Sequence, residues 1–391
     1  MIDVFCGEFL INVTPLEMSG NSCSHNCAYC FANIERGCRV SEISREIKFL
    51  TGKSSANNLA TLLYHKGYPI CFSNRTDPFS ESNIKDTRVL AKILKQKENG
   101  LFIQTKLGKD EYIEEFLETM SGKKNIVFYI TITTPNDDIS KIIEPNAPLP
   151  SRRKAWAIKL SKMGYPVIVA FNPFVEGWTN LNENLKECKE YQRAGINHFI
   201  YQNLKLNPMK VKSFSPGRRK QFEKTGINLN LYCNKNSTKD RQKYAQQAVI
   251  NARKAGCEAL MFGMPFRNDF FDILVSTYGK DKVFPSNYFF YNWLIKNKKA
   301  GDIVIREEYV NVLAPYLGDL IDTPIKAMPT YILRTARQVW KGNERVQRMT
   351  TYRELLGVIF DDKRISACPK RNFLISENDK GSAVFNGEIK P

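Results

Sequence analysis

The sequence lacks any run of about 20 apolar residues, the length that a membrane-spanning helix needs. Its first residues, MIDVFCGEFLINV, also lack the basic start and small-residue cleavage site of a signal peptide. These two absences argue against a membrane protein or a secreted one. They predict a cytoplasmic protein with no membrane partner.

The sequence also lacks the dense, evenly used cysteines of a small secreted disulfide protein. Its ten cysteines are spread over 391 residues, and only three of them are close together. Such usage suits a reducing compartment. Low-complexity tracts are missing as well, and a hydrophobic content of 42% is enough for a sizeable core. We therefore expect a globular protein.

Acidic residues are the minority charge, so the formal net charge is +18. A basic balance raises the prospect of nucleic acid as a partner, although a coding bias toward Lys, Asn and Ile explains the excess equally well. The densest basic stretch is residues 213–226, which has no apolar periodicity. We expect it to be a loop that either contacts phosphate or is simply solvated.

Six short apolar runs, rich in β-branched and aromatic residues, predict buried strands. They lie at 9–15, 69–74, 101–106, 126–134, 166–171 and 198–204. Amphipathic segments between them predict helices at 55–66, 83–97, 110–120, 151–163 and 180–194. This alternation indicates an α/β fold with a parallel sheet and crossover helices, closed or partly closed into a barrel. The loops that follow the strands are expected to line one mouth, where such folds carry their chemistry.

The alternation stops after about residue 205. A polar insert at 205–236 precedes a helical pattern at 237–255, a strand-like run at 258–266 and a mainly helical C-terminal third, with a tail at 376–391 expected to be loosely ordered. We predict two domains from this change. Residues 1–204 form the core, and residues 205–391 form an extension that completes the substrate pocket.

Three cysteines lie within the stretch CSHNCAYC, spaced C-x3-C-x2-C at Cys23, Cys27 and Cys30. Zinc usually takes four ligands, and the local fourth, His25, is awkwardly placed between two of the cysteines. An iron–sulfur cluster accepts thiolates from one short loop, and three cysteines on a four-iron cluster leave one iron open. Three reduced structural cysteines are the alternative interpretation.

The cysteine spacing, with the aromatic Tyr29 before the last cysteine, resembles the signature of the radical S-adenosylmethionine (SAM) superfamily. The resemblance implies a partial (β/α)6 barrel in which Cys23, Cys27 and Cys30 bind a 4Fe–4S cluster. It implies that SAM chelates the open iron and is cleaved by one electron to a 5′-deoxyadenosyl radical, with Tyr29 near the adenine. It also implies a flavodoxin or ferredoxin reductant, whose acidic surface the positive charge would favour.

Further stretches resemble the spore photoproduct lyase-like branch of that superfamily, over roughly residues 15–204. They are NRTDPF (74–79), IQTK (103–106), VFYITIT (127–133), IEPNAPLPSRR (143–153) and MGYPVIVAFNPFVEG (163–177). The resemblance implies that Thr76 and Thr131 contact SAM and that Lys106 reaches its carboxylate. An ordinary turn residue at Thr76 and an ordinary strand former at Thr131 are the alternatives.

One position departs from the pattern of the branch. Photoproduct lyases have a cysteine there that returns a hydrogen atom to the thymine product, whereas this chain has Asn74. An amide does not readily donate a hydrogen atom, so we do not expect DNA repair by that route. Asn74 instead offers a hydrogen-bond donor and an acceptor to a heterocycle or a sugar hydroxyl.

Polar residues at the ends of later predicted strands are expected to converge with Asn74 above the cluster. They are Asn172, Glu176, Tyr201, Gln202 and Asn203. Amides and one carboxylate suit a guanine-like edge or a polyhydroxylated ring. Each residue alone also fits an ordinary turn, loop or core position.

Queuine lyase, which converts queuine to 7-aminomethyl-7-deazaguanine in queuosine salvage, is the relative whose character fits this set. The resemblance implies a radical SAM lyase that cleaves a C–N bond, with Asn74, Asp77 and Glu176 at the reacting centre and a small-molecule substrate. One alternative is a radical SAM enzyme acting on nucleic acid, by photoproduct repair or RNA modification. The other is a cluster-bearing regulatory protein without turnover, in which Lys106→Ala would leave activity intact.

Overall fold

The computed structural model describes most of the chain and divides it into two compact units. The described residues are 3–4, 16–18, 22–30, 43–53, 59–72, 76–204, 206, 208–233, 235–261, 264, 269–283, 287–318, 321–322, 351–361, 363, 368–372 and 374–387. Unit 1 lies within residues 18–53 and 71–261, and unit 2 within residues 2–17, 54–70 and 262–391. Unit 1 thus continues past the predicted boundary at residue 204.

The strands and helices are numbered here in chain order over the described residues. The strands are β1 (Asp3–Val4), β2 (Leu16–Met18), β3 (Ile70–Phe72), β4 (Leu101–Thr105), β5 (Ile126–Thr131), β6 (Val167–Phe174), β7 (His198–Asn203), β8 (Glu258–Met261), β9 (Ile375–Glu377) and β10 (Ala383–Phe385). The helices are α1 (Ile43–Leu50), α2 (Leu59–His65), α3 (Ile84–Lys95), α4 (Asp110–Thr119), α5 (Asp137–Ile143), α6 (Pro150–Lys162), α7 (Leu181–Arg193), α8 (Pro208–Lys212), α9 (Pro216–Lys224), α10 (Leu229–Tyr232), α11 (Lys235–Lys254), α12 (Asp269–Tyr278), α13 (Asn287–Asn297), α14 (Arg306–Leu317) and α15 (Tyr352–Asp361).

A parallel sheet forms the centre of the fold, with β3 to β8 in chain order. The four pairings from β4 to β8 are parallel, with Leu101 opposite Ile126 and Phe128 opposite Val167 at the first two. Every residue of β5 is buried, as expected for a strand covered on both faces. The predicted α/β fold of the partial-barrel type, with a helical C-terminal region, is confirmed.

The last parallel strand of the described sheet comes from beyond the six predicted alternating runs. The run at 9–15 lies outside the described residues, and β8 at Glu258–Met261 pairs with β7 instead. Helix α11 is the crossover to β8 and packs on both strands. This helix and strand match the helical pattern predicted at 237–255 and the strand-like run predicted at 258–266.

The insert at 206–233 forms three short helices, which corrects the expectation of a basic loop at 213–226. Its apolar side chains pack with buried residues that follow the strands and with the cysteine loop. The buried set is Ala28, Ile143, Val175, Trp178, Leu204, Val211, Phe214, Phe222, Ile227, Leu229 and Tyr232. Helix α9 buries only Phe222, because its other positions are mainly basic and polar. One or two buried residues per short helix leave no periodic pattern in the sequence.

Unit 2 has a mainly helical core of its own. The ring of Tyr309 on α14 contacts Phe290 on α13 at 4.9 Å and Phe360 on α15 at 5.6 Å, between ring centroids. Strands β9 and β10 pair antiparallel around a turn in which Asn378 accepts hydrogen bonds from two backbone amides. The tail is therefore ordered through residue 387, contrary to expectation. No helix among the described residues is long and apolar enough to cross a membrane.

We predict that Phe222→Ala lowers the free energy of unfolding by about 3–5 kcal/mol, because it leaves a cavity in a fully buried cluster. Urea denaturation followed by tryptophan fluorescence measures the change, since the ring of Trp178 stacks on that of Phe222. Met209→Ala, at a side chain that is 82% exposed, is the control and should change stability by less than about 0.5 kcal/mol. Equal shifts in the two variants would contradict this packing.

Candidate functional site

The three cysteines lie in a short loop whose backbone is fixed by turns. Cys27 is buried, whereas Cys23 and Cys30 are half-buried. The Cys30 amide donates to the Cys27 carbonyl at 3.1 Å, and Asn26 has a φ of 51°, a left-handed conformation that Asn tolerates better than most residues. The Ala28 amide donates to the carbonyl at the end of α5 at 2.8 Å. The loop is therefore held in one conformation by its own turns and by α5.

Short polar side chains hold the start of the same loop. The Ser82 hydroxyl donates to the Ser22 carbonyl at 2.7 Å and accepts from the Ser24 amide at 3.0 Å. Asn146 donates from its side chain to the Ser24 carbonyl at 2.9 Å, and its own carbonyl lies 3.2 Å from His25 Nδ1. Three segments that are distant in sequence thus meet at the cysteine loop.

The donor set of the loop fits a cluster with one open iron. Burial raises the pKa of Cys23 to about 12 and holds the pKa of Cys27 well above its usual range. The charge of Cys30 raises both pKa values further, which indicates that the three thiols are near neighbours. The charge of Lys106 lowers both pKa values. Buried thiolates need compensating cations, which the irons of a cluster provide.

No group of three His, Cys, Asp or Glu side chains within the described ranges converges as it would on a single metal ion. Three thiolates that each bind a different iron of one cluster need not converge on a point. The geometry is therefore compatible with Cys23, Cys27 and Cys30 as cluster ligands.

Asp77 is a buried carboxylate that joins the cysteine loop to the end of β4. Its Oδ1 accepts from the Thr105 hydroxyl at 2.8 Å and from the Phe79 amide at 3.0 Å. Its Oδ2 accepts from the Lys106 amide at 2.5 Å and lies 3.3 Å from His25 Nε2. Burial alone would raise the pKa of Asp77, but the charge of His25 and these hydrogen bonds lower it.

These contacts give Asp77 a structural role, and its place at the reacting centre stays a prediction. A carboxylate offers about four acceptor positions, and four groups already surround this one. Asp77 therefore positions the cysteine loop, which is a structural role close to the site.

Glu144 is a second buried carboxylate, directly after α5. It accepts hydrogen bonds from the Thr133 hydroxyl at 2.7 Å, from the Ser140 hydroxyl at 3.1 Å and from the Tyr29 hydroxyl. It also forms an ion pair with Arg153, and both side chains are fully buried. The carboxylate thus joins the cysteine loop to the ends of β5 and α5 and to the start of α6.

Positive charge keeps Glu144 ionised despite its burial. Burial alone would raise its pKa, but the charges of Arg153 and Lys106 and the hydrogen bonds lower the pKa to about 2. Arg153 also donates to the carbonyls of Pro148 at 2.7 Å and Thr131 at 3.1 Å. The segment 143–153 was noted for its resemblance to the photoproduct lyase-like branch, but the ion pair of Glu144 and Arg153 was not predicted from it. The available signal was a Glu beside apolar residues and an Arg nine residues later, since buried charges need partners.

Lys106 follows β4 and points its ammonium group at the same site. Its Nζ lies 3.9 Å from Glu144 Oε1 and 5.5 Å from the centroid of the Tyr29 ring. The distance to Glu144 is too long for a hydrogen bond. The side chain is 16% exposed, so the ammonium group is placed to bind a further anion.

The other predicted cofactor residues lie beside this group. Thr131 is buried at the end of β5, and its carbonyl accepts from Arg153. Thr76 is half-buried and directly precedes Asp77. The ring of Tyr29 packs against that of Trp178, 6.2 Å between centroids. Thr131 therefore contacts the Arg153 that pairs with Glu144, and Thr76 adjoins the carboxylate that holds the cysteine loop.

Of the predicted substrate residues, two are already bonded within the protein. The Asn172 side chain forms a hydrogen bond with Tyr129, and its carbonyl accepts from the Thr133 hydroxyl at 3.3 Å. The Tyr201 hydroxyl is buried and donates to Asn184 Oδ1 on α7 at 2.8 Å. Tyr201 is therefore corrected to a core residue, because its hydroxyl faces an outer helix.

The remaining predicted residues keep polar atoms available at the strand ends. Glu176 follows β6 and is exposed. Burial raises the pKa of Tyr232 and Tyr244, and the charge of Glu176 adds a smaller increase to both. Gln202 and Asn203 end β7 and are half-buried, and Asn203 Oδ1 is a buried acceptor without a partner among the described residues. Asn74 lies outside the described residues.

Comparisons with known proteins give one family and several distant structures. Residues 18–191 match the radical SAM superfamily. No curated protein matches the chain. Among solved structures, the chain is similar to a spore photoproduct lyase complexed with dinucleoside spore photoproduct, at 12% identity and a TM-score of 0.43, over 66% of this chain and 78% of that one. It is also similar to Streptococcus suis SuiB bound to S-adenosylmethionine, at 13% identity and a TM-score of 0.41, over 67% and 53%.

Glu144 should make the stability of the cluster-free protein depend on pH. Its folded pKa of about 2 lies below the ordinary 4.5, so its contribution is complete above pH 4.5 and is lost as the pH falls through 2. The difference of about 2.5 units corresponds to about 3 kcal/mol. We predict that Glu144→Gln flattens the loss of unfolding free energy between about pH 5 and pH 3, measured by urea denaturation.

Glu187→Gln is the matched control for that experiment. Glu187 pairs with Lys154 at 2.8 Å on the outer helices α7 and α6, away from the cysteine loop. Its variant should keep the pH dependence of the wild type. Parallel curves for Glu144→Gln and the wild type would show that Glu144 does not carry this dependence.

Proposed function

We propose that the chain is a lyase that cleaves a C–N bond in a modified nucleobase, with queuine as the first substrate to test. The proposal starts from residues 18–191, which form a radical SAM domain. The cofactors of such a domain are a 4Fe–4S cluster and SAM. The observation that carries the proposal is the amide-rich set at the ends of β6 and β7, which includes the unpartnered Asn203 Oδ1. The bound cofactors supply a 5′-deoxyadenosyl radical that abstracts a hydrogen atom.

The residues of the chain have separate roles in this proposal. Cys23, Cys27 and Cys30 hold the cluster, and Lys106 binds the SAM carboxylate through charge-assisted hydrogen bonds. The exposure of Lys106 and its 3.9 Å separation from Glu144 support that role. Tyr29, with Thr76 and Thr131, lines the same part of the site and is assigned to the nucleoside part of SAM.

Substrate recognition falls to the strand ends in this proposal. Asn203 Oδ1 accepts from an N–H or hydroxyl group of the substrate, because a buried acceptor is otherwise left unsatisfied. Glu176 is an exposed carboxylate that pairs with the N–H edge of a deazaguanine. Gln202, Asn172 and Asn74 provide further amides at the same mouth.

A second candidate substrate is nucleic acid, and the net charge of +18 is the observation in its favour. The same charge would also assist docking of an acidic flavodoxin or ferredoxin, which we propose as the reductant. A nucleic-acid substrate predicts direct binding to DNA or RNA, with an affinity that falls steeply with salt.

The substrate assignment predicts products that can be measured. Anaerobic incubation of the reconstituted protein with SAM, dithionite and queuine should yield 5′-deoxyadenosine and 7-aminomethyl-7-deazaguanine, detected by mass spectrometry. Absence of the base and no 5′-deoxyadenosine above background would remove queuine as a substrate. Products formed instead from DNA photoproducts or RNA would favour the second candidate.

Lys106→Met should raise the dissociation constant for SAM about 10- to 100-fold, because it removes a charge-assisted contact of about 1.5–3 kcal/mol. Equilibrium dialysis on the cluster-loaded protein measures the affinity without turnover. Glu176→Gln is the matched variant: it should leave SAM affinity unchanged and raise the KM for queuine. Unchanged SAM affinity in Lys106→Met would contradict the assigned role of Lys106.

A further inference from the structure

We infer that Glu144 is a positioning residue, which sets Tyr29 of the cysteine loop and the Lys106 ammonium group in one geometry for SAM. The inference rests on the proposed contact of Lys106 with the SAM carboxylate, and it is independent of the substrate. Neither Glu144 nor its partner Arg153 has a sequence motif that assigned it this role.

The carboxylate of Glu144 reaches the cysteine loop through Tyr29. The Tyr29 hydroxyl donates to Glu144 and lies 2.8 Å from the Thr133 hydroxyl, which itself donates to Glu144. Tyr29 thus shares Glu144 Oε1 with Thr133, and its hydroxyl lies within this buried hydrogen-bond group. The orientation of the Tyr29 ring is therefore fixed from the buried side by hydrogen bonds.

Lys106 approaches the same two groups from the more exposed side. Its Nζ lies 5.5 Å from the centroid of the Tyr29 ring and 3.9 Å from Glu144 Oε1. Both contacts attract a cation, so they restrict where the ammonium group can lie. Neither contact is a hydrogen bond, so within the described part of the chain the ammonium donors are left for another acceptor.

Arg153 explains why Glu144 can position Lys106 without neutralising it. The guanidinium of Arg153 pairs with Glu144 Oε2, and both side chains have no exposed surface. One carboxylate between two cations leaves a net positive charge, and the more exposed cation is Lys106. An anionic group of SAM would therefore meet a cation that is already oriented.

A merely structural role for the buried pair predicts a different result. In that case, loss of Glu144 would lower stability and leave the SAM affinity of the folded, cluster-loaded protein unchanged. If Glu144 positions the SAM site, its loss also lowers the affinity for SAM. It then also alters the effect of SAM on the EPR spectrum of the reduced cluster. Those two readouts do not require turnover.

The experiment compares Glu144→Gln and the double variant Tyr29→Phe/Thr133→Val with the wild type. The double variant removes hydroxyls that contact Glu144 but keeps the carboxylate, the aromatic ring and Arg153. It therefore tests the inference even if Glu144→Gln does not fold. Iron content per chain, the SAM dissociation constant and the EPR spectrum with and without SAM are measured for each.

We expect the SAM dissociation constant to rise about 10-fold in Glu144→Gln and about 3-fold or more in the double variant, at an iron content equal to that of the wild type. The SAM-induced EPR change should be altered in both. Glu187→Gln, in the ion pair with Lys154, should stay within about twofold of the wild type. The inference is overturned if a test variant folds, holds its cluster and binds SAM with a dissociation constant within twofold of that of the wild type. Loss of iron from both test variants would also overturn it.

Lys106→Met separates this inference from the proposed function. If Lys106→Met leaves SAM affinity unchanged, the proposed contact of Lys106 is wrong. If Lys106→Met weakens SAM binding and the Glu144 and Tyr29/Thr133 variants do not, the positioning inference alone is wrong.

Discussion

The buried ion pair between Glu144 and Arg153 is the interaction on which the site depends. Removing two charges from water is costly, and a buried pair rarely repays that cost by Coulomb attraction alone. Here the carboxylate also accepts from three hydroxyls, and the guanidinium donates to two backbone carbonyls. The pair therefore fixes the geometry where β5, α5, α6 and the cysteine loop meet. Breaking it would leave a charge buried without a partner.

Two buried carboxylates hold the cysteine loop at different points. His25, between Cys23 and Cys27, faces Asp77, and Tyr29, between Cys27 and Cys30, donates to Glu144. The residues between the cysteines thus anchor the loop, and the thiols remain for the cluster. Lys106 links the two carboxylates, since its backbone amide donates to Asp77 and its ammonium group lies near Glu144.

Sequence reasoning predicted the features that are encoded locally. The spacing of Cys23, Cys27 and Cys30 indicated the radical SAM superfamily, which the family match confirms, because one loop carries the whole motif. Strands such as β4 and β5 were predicted because a buried parallel strand is a continuous apolar run. Roles set by distant partners were not predictable in this way. The hydroxyl of Tyr201 bonds to Asn184, 17 positions earlier, and Asp77 to Thr105, 28 positions later.

Burial and the charges around the loop explain why Cys23 and Cys27 have raised pKa values before a cluster binds. The carboxylates of Asp77 and Glu144 lie near the buried cysteine loop, and ionising a buried thiol there costs free energy. The raised pKa values of Cys23 and Cys27 express this cost, to which burial and the nearby carboxylates contribute. Cluster assembly must therefore release protons as the irons enter, which couples metal affinity to pH. The two carboxylates are held by hydrogen bonds as well as by charge, so their positions do not depend on the Lys106 ammonium group alone.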